Sequence, residues 1–425
     1  MPPVFRILPT VQQYDWGKIG SASQVAELAV ASKIPGFELD ETAPYAELWM
    51  GTHPKSPSRV FETQEILSEY LAAHPELIGD RAIQRFDASN GNLPFLFKVL
   101  SIEKALSIQT HPDKATATKL HAEQPSIYKD PNHKPEMALA LTPFAGLCGF
   151  LPLSQISANL LSTPELSALI PSTIADRFHS IASSSTPTAP AEKAALKDIF
   201  SALMTANESL IATELDKLVQ RYTAQGALED DRSVARLVLR LNEQFPGDIG
   251  IFCAFMLNFV HLQPGEAIFL GAGEPHAYIS GDIMECMANS DNVIRAGLTP
   301  KLRDIPNLVS GLTYTAAPPT NHIIEPTNFS RSSSAATMLY KPPVPEFSVL
   351  RVQVNPGCTE KHAPLDGPSI LILTSGHGSI VWNGGEGSLS VSKGYVLFVG
   401  AGVDLEVKEE DLENLVFYRA FAHEL

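Results

Sequence analysis

Gly265-Glu-Ala-Ile-Phe269-Leu-Gly271-Ala-Gly273 and Gly394-Tyr-Val-Leu-Phe398-Val-Gly400-Ala-Gly402 follow one pattern, with a leading glycine, an apolar run and a closing Gly-Ala-Gly at identical spacing. Each copy reads as a turn, a short buried strand and a second turn that needs positive φ. Two copies of one antiparallel unit predict a mainly β chain built on two jelly rolls. The flanking sequence agrees, because short runs rich in Val, Ile and Phe are punctuated by Gly and Pro. The copies differ three residues past the closing glycine. His276 follows the first, and the matching position in the second is Leu405. His362 and His377 form no paired ligand strand, so the C-terminal copy is expected to be structural.

Between the copies the periodicity changes. Leu196, Ile199, Phe200 and Leu203 fall at i, i+3, i+4 and i+7, and Leu210, Ile211, Leu215, Leu218 and Val219 repeat that spacing after Asn207, a residue suited to capping. Val234, Leu237, Val238 and Leu241 predict a third helix. The expected organisation is therefore a discontinuous first jelly-roll domain over 1–153 and 247–315, an all-α insert over 154–246, and a C-terminal, non-catalytic jelly roll over 316–425.

A chain of 425 residues exceeds one ordinary hydrophobic core, which agrees with several domains. Its net charge of −16 argues against nucleic acid or anionic membrane as partner, since both are held by clustered Lys and Arg. No run reaches the ~20 apolar residues that span a bilayer. The first residues lack a basic flank followed by an apolar core, so the expected location is cytoplasmic. Cys148, Cys253, Cys286 and Cys358 are scattered without CxxC spacing and mostly in apolar runs, and read as buried free thiols in a reducing compartment. No heptad or long apolar stripe demands a partner subunit, and a monomer is expected.

Three segments supply metal donors: Ser107-Ile-Gln-Thr-His111, His133-Lys-Pro-Glu136 and the His276 that follows the first glycine repeat. Gln109 and His111 stand two apart, so an extended strand points both to one face. Glu136 and His276 can complete the set, and imidazole with carboxylate and no thiolate suits zinc. Ligand preferences alone favour His111, Glu136 and His276 with water as fourth, the Gln109 amide being an unusual donor. Two histidines and a carboxylate also hold Fe(II) for dioxygen chemistry, and jelly rolls also bind sugars without reacting, so a dioxygenase and a non-catalytic sugar-binding module are the alternatives.

Longer stretches narrow the choice. Leu93-Pro-Phe-Leu-Phe-Lys98, Ser107-Ile-Gln-Thr-His-Pro-Asp-Lys114, Tyr128-Lys-Asp-Pro-Asn-His-Lys-Pro-Glu-Met137 and Gly281-Asp-Ile-Met-Glu285-Cys-Met-Ala-Asn-Ser-Asp-Asn-Val-Ile-Arg295-Ala-Gly-Leu-Thr-Pro-Lys301 resemble the type I mannose-6-phosphate isomerase (phosphomannose isomerase) family. Tyr14-Asp-Trp-Gly17 and Ala46-Glu-Leu-Trp-Met-Gly-Thr-His-Pro54 add to the likeness. The resemblance implies cupin-type jelly rolls with the metal in a barrel mouth, and Gln109, His111, Glu136 and His276 as the ligands of one zinc. It also implies Arg295 as the active-site arginine and a role in supplying GDP-mannose for protein glycosylation.

Interconverting mannose 6-phosphate and fructose 6-phosphate moves a proton between C1 and C2, which requires a base and stabilisation of an enediolate. Glu285, among Met284, Cys286 and Met287, is the expected base, with its pKa raised by burial. Arg295 stays protonated and is expected to stabilise charge or orient the sugar. Lys134, two residues before Glu136, should project to the same side and relay a hydroxyl proton. Lys98, Ser107, Lys301 and Arg303 are the expected phosphate donors in an otherwise acidic chain. No GxxxxGK[ST] motif is present, so nucleotide hydrolysis gains no support.

Overall fold

The structure is a computed structural model that describes residues 2–186, 188–224 and 233–422. Its first jelly roll forms a six-strand path in which Ala267–Leu270 pairs with Glu136–Ala140, followed by His276–Ala288, Phe95–Ile102, Glu47–Met50 and Thr10–Gln12. The long strand His276–Ala288 passes out of this sheet at its N-terminal end. There it pairs with Ile108–Thr110 and Phe144–Phe150, the latter flanked by Leu257–Leu262.

One strand can serve two sheets because its facing changes midway. Tyr278 pairs with Gly146 but Ser280 pairs with Ala145, so Ile279 is an extra residue. Gly281 follows at φ +112, where a Cβ would lie 2.6 Å from the Pro143 carbonyl oxygen. A bulge of one residue inverts the alternation of side chains. His276 and Tyr278 before it therefore share the barrel interior with Ile283 and Glu285 after it, which strict alternation would forbid.

The second jelly roll repeats the order. Val396–Val399, Ser369–Ser375, Leu415–Phe421, Ser348–Val354, Thr337–Tyr340 and Thr327–Asn328 are successive neighbours, and Thr359–His362, Leu405–Glu409, His377–Trp382 and Gly387–Ser392 form the facing sheet. The glycine repeat behaves as its spacing predicts: φ is +92 and +84 at Gly265 and Gly394, and +75 and +76 at Gly273 and Gly402. The expected division of the chain crosses one structural boundary. Val4–Leu8 lies within the 1–153 segment yet hydrogen-bonds to Val396–Val399, extending the second jelly roll's sheet at its edge. Its fully buried pattern, VFRIL, gave no indication of which sheet it would join.

The insert contains the three expected helices, Ala189–Met204, Glu208–Ala224 and Val234–Gln244. Asn207 caps the second, its Oδ1 accepting from the Ser209 and Leu210 N–H groups. The apolar stripes of these helices merge with Leu147, Phe150 and Ala277 of the barrel strands in one core, so the insert is fastened to the first jelly roll rather than tethered to it. All four cysteines are free; Cys148, Cys253 and Cys286 are buried and Cys358 is exposed. Among the described residues no helix is long and apolar enough to cross a membrane.

Candidate metal centre and active site

His111, Glu136 and His276 converge inside the first barrel. The Glu136 Oε2 atom lies 3.3 Å from His111 Nε2 and 3.2 Å from His276 Nε2. All three residues are buried, and none of these three atoms makes a hydrogen bond. Three buried polar atoms without partners, aimed at one point, are costly unless something binds there. The other imidazole nitrogens state which tautomer is present. His111 Nδ1 is 2.6 Å from the Asn292 carbonyl oxygen and His276 Nδ1 is 3.0 Å from that of Glu274. A carbonyl can only accept, so each Nδ1 carries the proton and each Nε2 presents a lone pair.

Electrostatics favour the same state. Burial, with Lys134 beside it, lowers the His111 pKa to about 4, which keeps the ring neutral. Burial alone would raise Glu136, but the Lys134 ammonium beside it outweighs burial and holds the carboxyl well below its ordinary range. Two neutral imidazoles and one carboxylate fit a zinc ion and leave it a net positive charge. Gln109 stands directly opposite His276 in the strand pairing and lines the adjoining cavity, on the side its spacing predicts.

That cavity, of about 660 Å³, is lined by Glu136, Lys134, Glu285, Lys98, Arg295 and Tyr278 among others. Lys134 Nζ is 2.7 Å from Glu136 Oε1, on the predicted side. Glu285 is buried, and burial pushes its pKa up against the pull of Lys98, whose Nζ is 3.0 Å away. Burial alone would depress Lys98, yet Glu285 and Glu47 outweigh it and hold its pKa above the ordinary value. Arg295 is half-buried at the wall, burial lowering its pKa, on the strand that pairs with Gln109. Ser107 and Lys301 also line the cavity.

Two sequence-based assignments do not fit. Lys98 is not a free phosphate donor: it sits at 5% exposure between Glu285 and Glu47, the latter 3.6 Å away, so two carboxylates already take its charge. Arg303 faces elsewhere, donating to the carbonyls of Ala296 at 2.7 Å and Met204 at 3.4 Å against the helical insert. Sequence reasoning also missed residues. Glu47, which accepts the Trp49 indole N–H, sits beside the cavity. Tyr278, close to Glu285, has its hydroxyl pKa pushed well above the ordinary value by burial. Its spacing of two from His276 was the signal that could have found it. Asp248 accepts the N–H groups of Gly250, Leu298 and Thr299 at 2.7, 2.7 and 3.0 Å, and so pins the loop that follows Arg295.

Comparison with known proteins locates this arrangement. Family models match residues 4–153 as phosphomannose isomerase type I catalytic domain, 169–257 as its helical insertion domain and 337–384 as its C-terminal part. Mannose-6-phosphate isomerase from Cryptococcus neoformans is 51% identical over 99% of both chains. The chain belongs to the type I phosphomannose isomerase family. Mannose-6-phosphate isomerases of that family from Saccharomyces cerevisiae and Rattus norvegicus are 45% and 43% identical over at least 98% of each chain. Among solved phosphomannose isomerases, a mutant from Salmonella typhimurium superposes with a TM-score of 0.80 at 28% identity, covering 99% of this chain and 100% of its own. A zinc-bound mannose 6-phosphate isomerase gives 0.79 at 28%, covering 100% of both chains.

Proposed function

We propose that the chain interconverts mannose 6-phosphate and fructose 6-phosphate through an enediolate, with one zinc held by His111, Glu136, His276 and the Gln109 amide. When bound, the metal supplies positive charge beside the carbonyl and the adjacent hydroxyl, which stabilises the developing oxyanion without redox chemistry. The observation that carries the reading is the placement of a buried carboxylate of raised pKa, Glu285, in the cavity that Glu136 and Gln109 also line, Glu136 being the residue on which the open histidine nitrogens converge. A base that shuttles a carbon-bound proton must exist in both protonation states near neutral pH, and burial moves Glu285 toward that range.

Glu285 takes the proton from one carbon and returns it to the next. Lys98, bonded to the same carboxylate, fixes its direction and compensates its charge once the proton has left. Lys134 serves the hydroxyl oxygens beside the metal ligands. Arg295 orients the sugar and stabilises charge from the strand beside Gln109. Ser107 and Lys301, which line the cavity, are left to bind the phosphate, a role we do not give to Lys98 or Arg303. Tyr278 walls the base from water. On this reading the enzyme supplies mannose 6-phosphate toward GDP-mannose and glycosylation, and its buried free thiols suit the reducing cytosol.

The test is Glu285→Gln with zinc content measured on the same sample. Turnover of mannose 6-phosphate to fructose 6-phosphate should fall about 10²–10⁴-fold, the range for removing a general base, while one zinc per chain is retained. Near-normal turnover in the zinc-loaded variant would remove Glu285 from the mechanism.

A further inference from the structure

The segment 128–133 and the segment 289–292 lie 160 residues apart in sequence and interlock in the fold. The Asp130 carboxylate accepts the Ser290 hydroxyl at 2.8 Å and the Asp291 backbone N–H at 2.8 Å. The Asn292 side-chain amide donates to the backbone carbonyls of Asp130 and Asn132 at 2.7 and 2.9 Å. Asn132 donates in turn to the Asn289 carbonyl at 3.0 Å. Ser290 and Asn292 are buried, at 3% and 1% exposure. The far end of this network is the Asn292 carbonyl oxygen that receives the His111 Nδ1–H. Every part of the clamp thus bears on the one atom that fixes the tautomer and the aim of a metal-site imidazole.

We propose that Asp130 is a positioning residue for the metal: by holding 289–292 in place it keeps the Asn292 carbonyl on His111, and the affinity for zinc depends on its carboxylate. Asp130 touches neither the metal donors nor the cavity. Its effect runs through the loop that carries the Asn292 carbonyl, to which its carboxylate adds the bonds from Ser290 and Asp291. A metal-site histidine whose outer partner is lost typically binds metal 10–100-fold more weakly. The same clamp gives a physical reason for the density of the Lys129-Asp-Pro-Asn132 and Asn289-Ser-Asp-Asn292 segments, since each supplies the hydrogen-bond complement of the other.

The proposal rests on the reading of His111, Glu136 and His276 as a zinc site. Zinc dissociation constants are therefore measured first on the wild-type full chain, by competition with a chromophoric chelator. Failure of the wild type to bind zinc would remove that reading, independently of Asp130. With wild-type binding in hand, Asp130→Ala should raise the dissociation constant 10–100-fold, and Asp130→Asn, which keeps one acceptor oxygen, should fall between the two. A purely structural role would lower the melting temperature of the zinc-free protein and leave the zinc affinity alone. A dissociation constant within twofold of wild type overturns the proposal whatever the melting temperature. Should Asp130→Ala not fold, Ser290→Ala removes one member of the clamp without touching the backbone, and the same twofold criterion applies.

Discussion

The two jelly rolls share a frame down to individual residue pairs, and differ in how the centre of each is filled. Strand pairing aligns them without reference to side chains. Glu136 lies between Leu270 and Met287 as Ser369 lies between Val399 and Phe421. By the same registers Glu285 corresponds to Arg419, Lys98 to Leu350, Glu47 to Thr337, Gln109 to His362 and His276 to Leu405. The second barrel therefore keeps a buried polar centre at the position of the first barrel's site. There Arg419, fully buried, donates to Ser369 Oγ at 2.8 Å and toward His362 Nδ1 at 3.3 Å. Guanidinium cannot accept, so His362 Nε2 carries the proton and is 2.9 Å from Thr337 Oγ1, which donates onward to Glu360 at 3.1 Å. The difference is one of open and closed valence. In the first barrel the imidazoles spend Nδ1 on carbonyls and leave Nε2 open for an ion, whereas in the second both nitrogens of His362 have partners and the cation is part of the chain.

The comparison is broken most severely by removing that internal cation. Arg419→Ala leaves His362 and Ser369 without their donor and opens a large void, which together should cost about 3–5 kcal/mol. Urea unfolding with a probe in the C-terminal region should show the loss, while turnover per folded, zinc-loaded molecule stays near wild type. Lost turnover with stability intact would mean that the second barrel takes part in catalysis.

How much of this could be read beforehand follows from where the register holds. The glycine repeat keeps an offset of 129 residues from Gly265 and Gly394 as far as His276 and Leu405, so the absence of a ligand at 405 was legible. Beyond that point the second copy leaves the sheet after Leu405–Glu409 and resumes at Leu415–Phe421, whereas the first continues unbroken to Ala288. The offset between Glu285 and Arg419 is then 134, and no spacing argument would pair them. The placement of Gln109 on the His111 side of its strand was legible because the two obey simple alternation. Glu285 was placed from its apolar neighbours, but its sharing of a face with His276 depends on the bulge at Ile279, a feature of pairing rather than of local sequence. The partners of Lys98 were illegible for a similar reason: Glu47 and Glu285, which flank it, come from two separate strands.

A smaller effect sharpens the contrast through pH. Burial, with Arg419 nearby, lowers the His362 pKa to about 3 from an ordinary 6.5. Between these values the unfolded chain binds a proton that the folded chain refuses, so stability is full above about pH 6.5 and declines as pH falls toward 3. At about 1.36 kcal/mol per unit of pH, the decline between pH 7 and pH 5 should be about 2 kcal/mol. His362→Gln should flatten this part of the stability profile relative to wild type. An unchanged slope in the variant would mean that His362 is not held neutral by the second barrel.

The smallest expected effect is the most discriminating. Leu405→His restores in the second barrel the imidazole that the register lacks, and zinc per chain should nonetheless remain at one after dialysis and metal analysis. Ser369 offers a hydroxyl where Glu136 offers a carboxylate, so that position lacks the negative charge that draws a divalent ion, and the Glu360 carboxylate nearby is already taken by Thr337. The Arg419 guanidinium meanwhile projects into the same space, and a like charge a few ångströms away opposes entry of a second cation. His362, at the Gln109 position, points a protonated Nε2 at Thr337 rather than a lone pair at the centre. A second equivalent of zinc in Leu405→His would show that one imidazole decides occupancy and that the closed network yields to it. A single equivalent would mean that the carboxylate and the missing internal cation, more than the histidine, distinguish the barrel that binds metal from the barrel that does not.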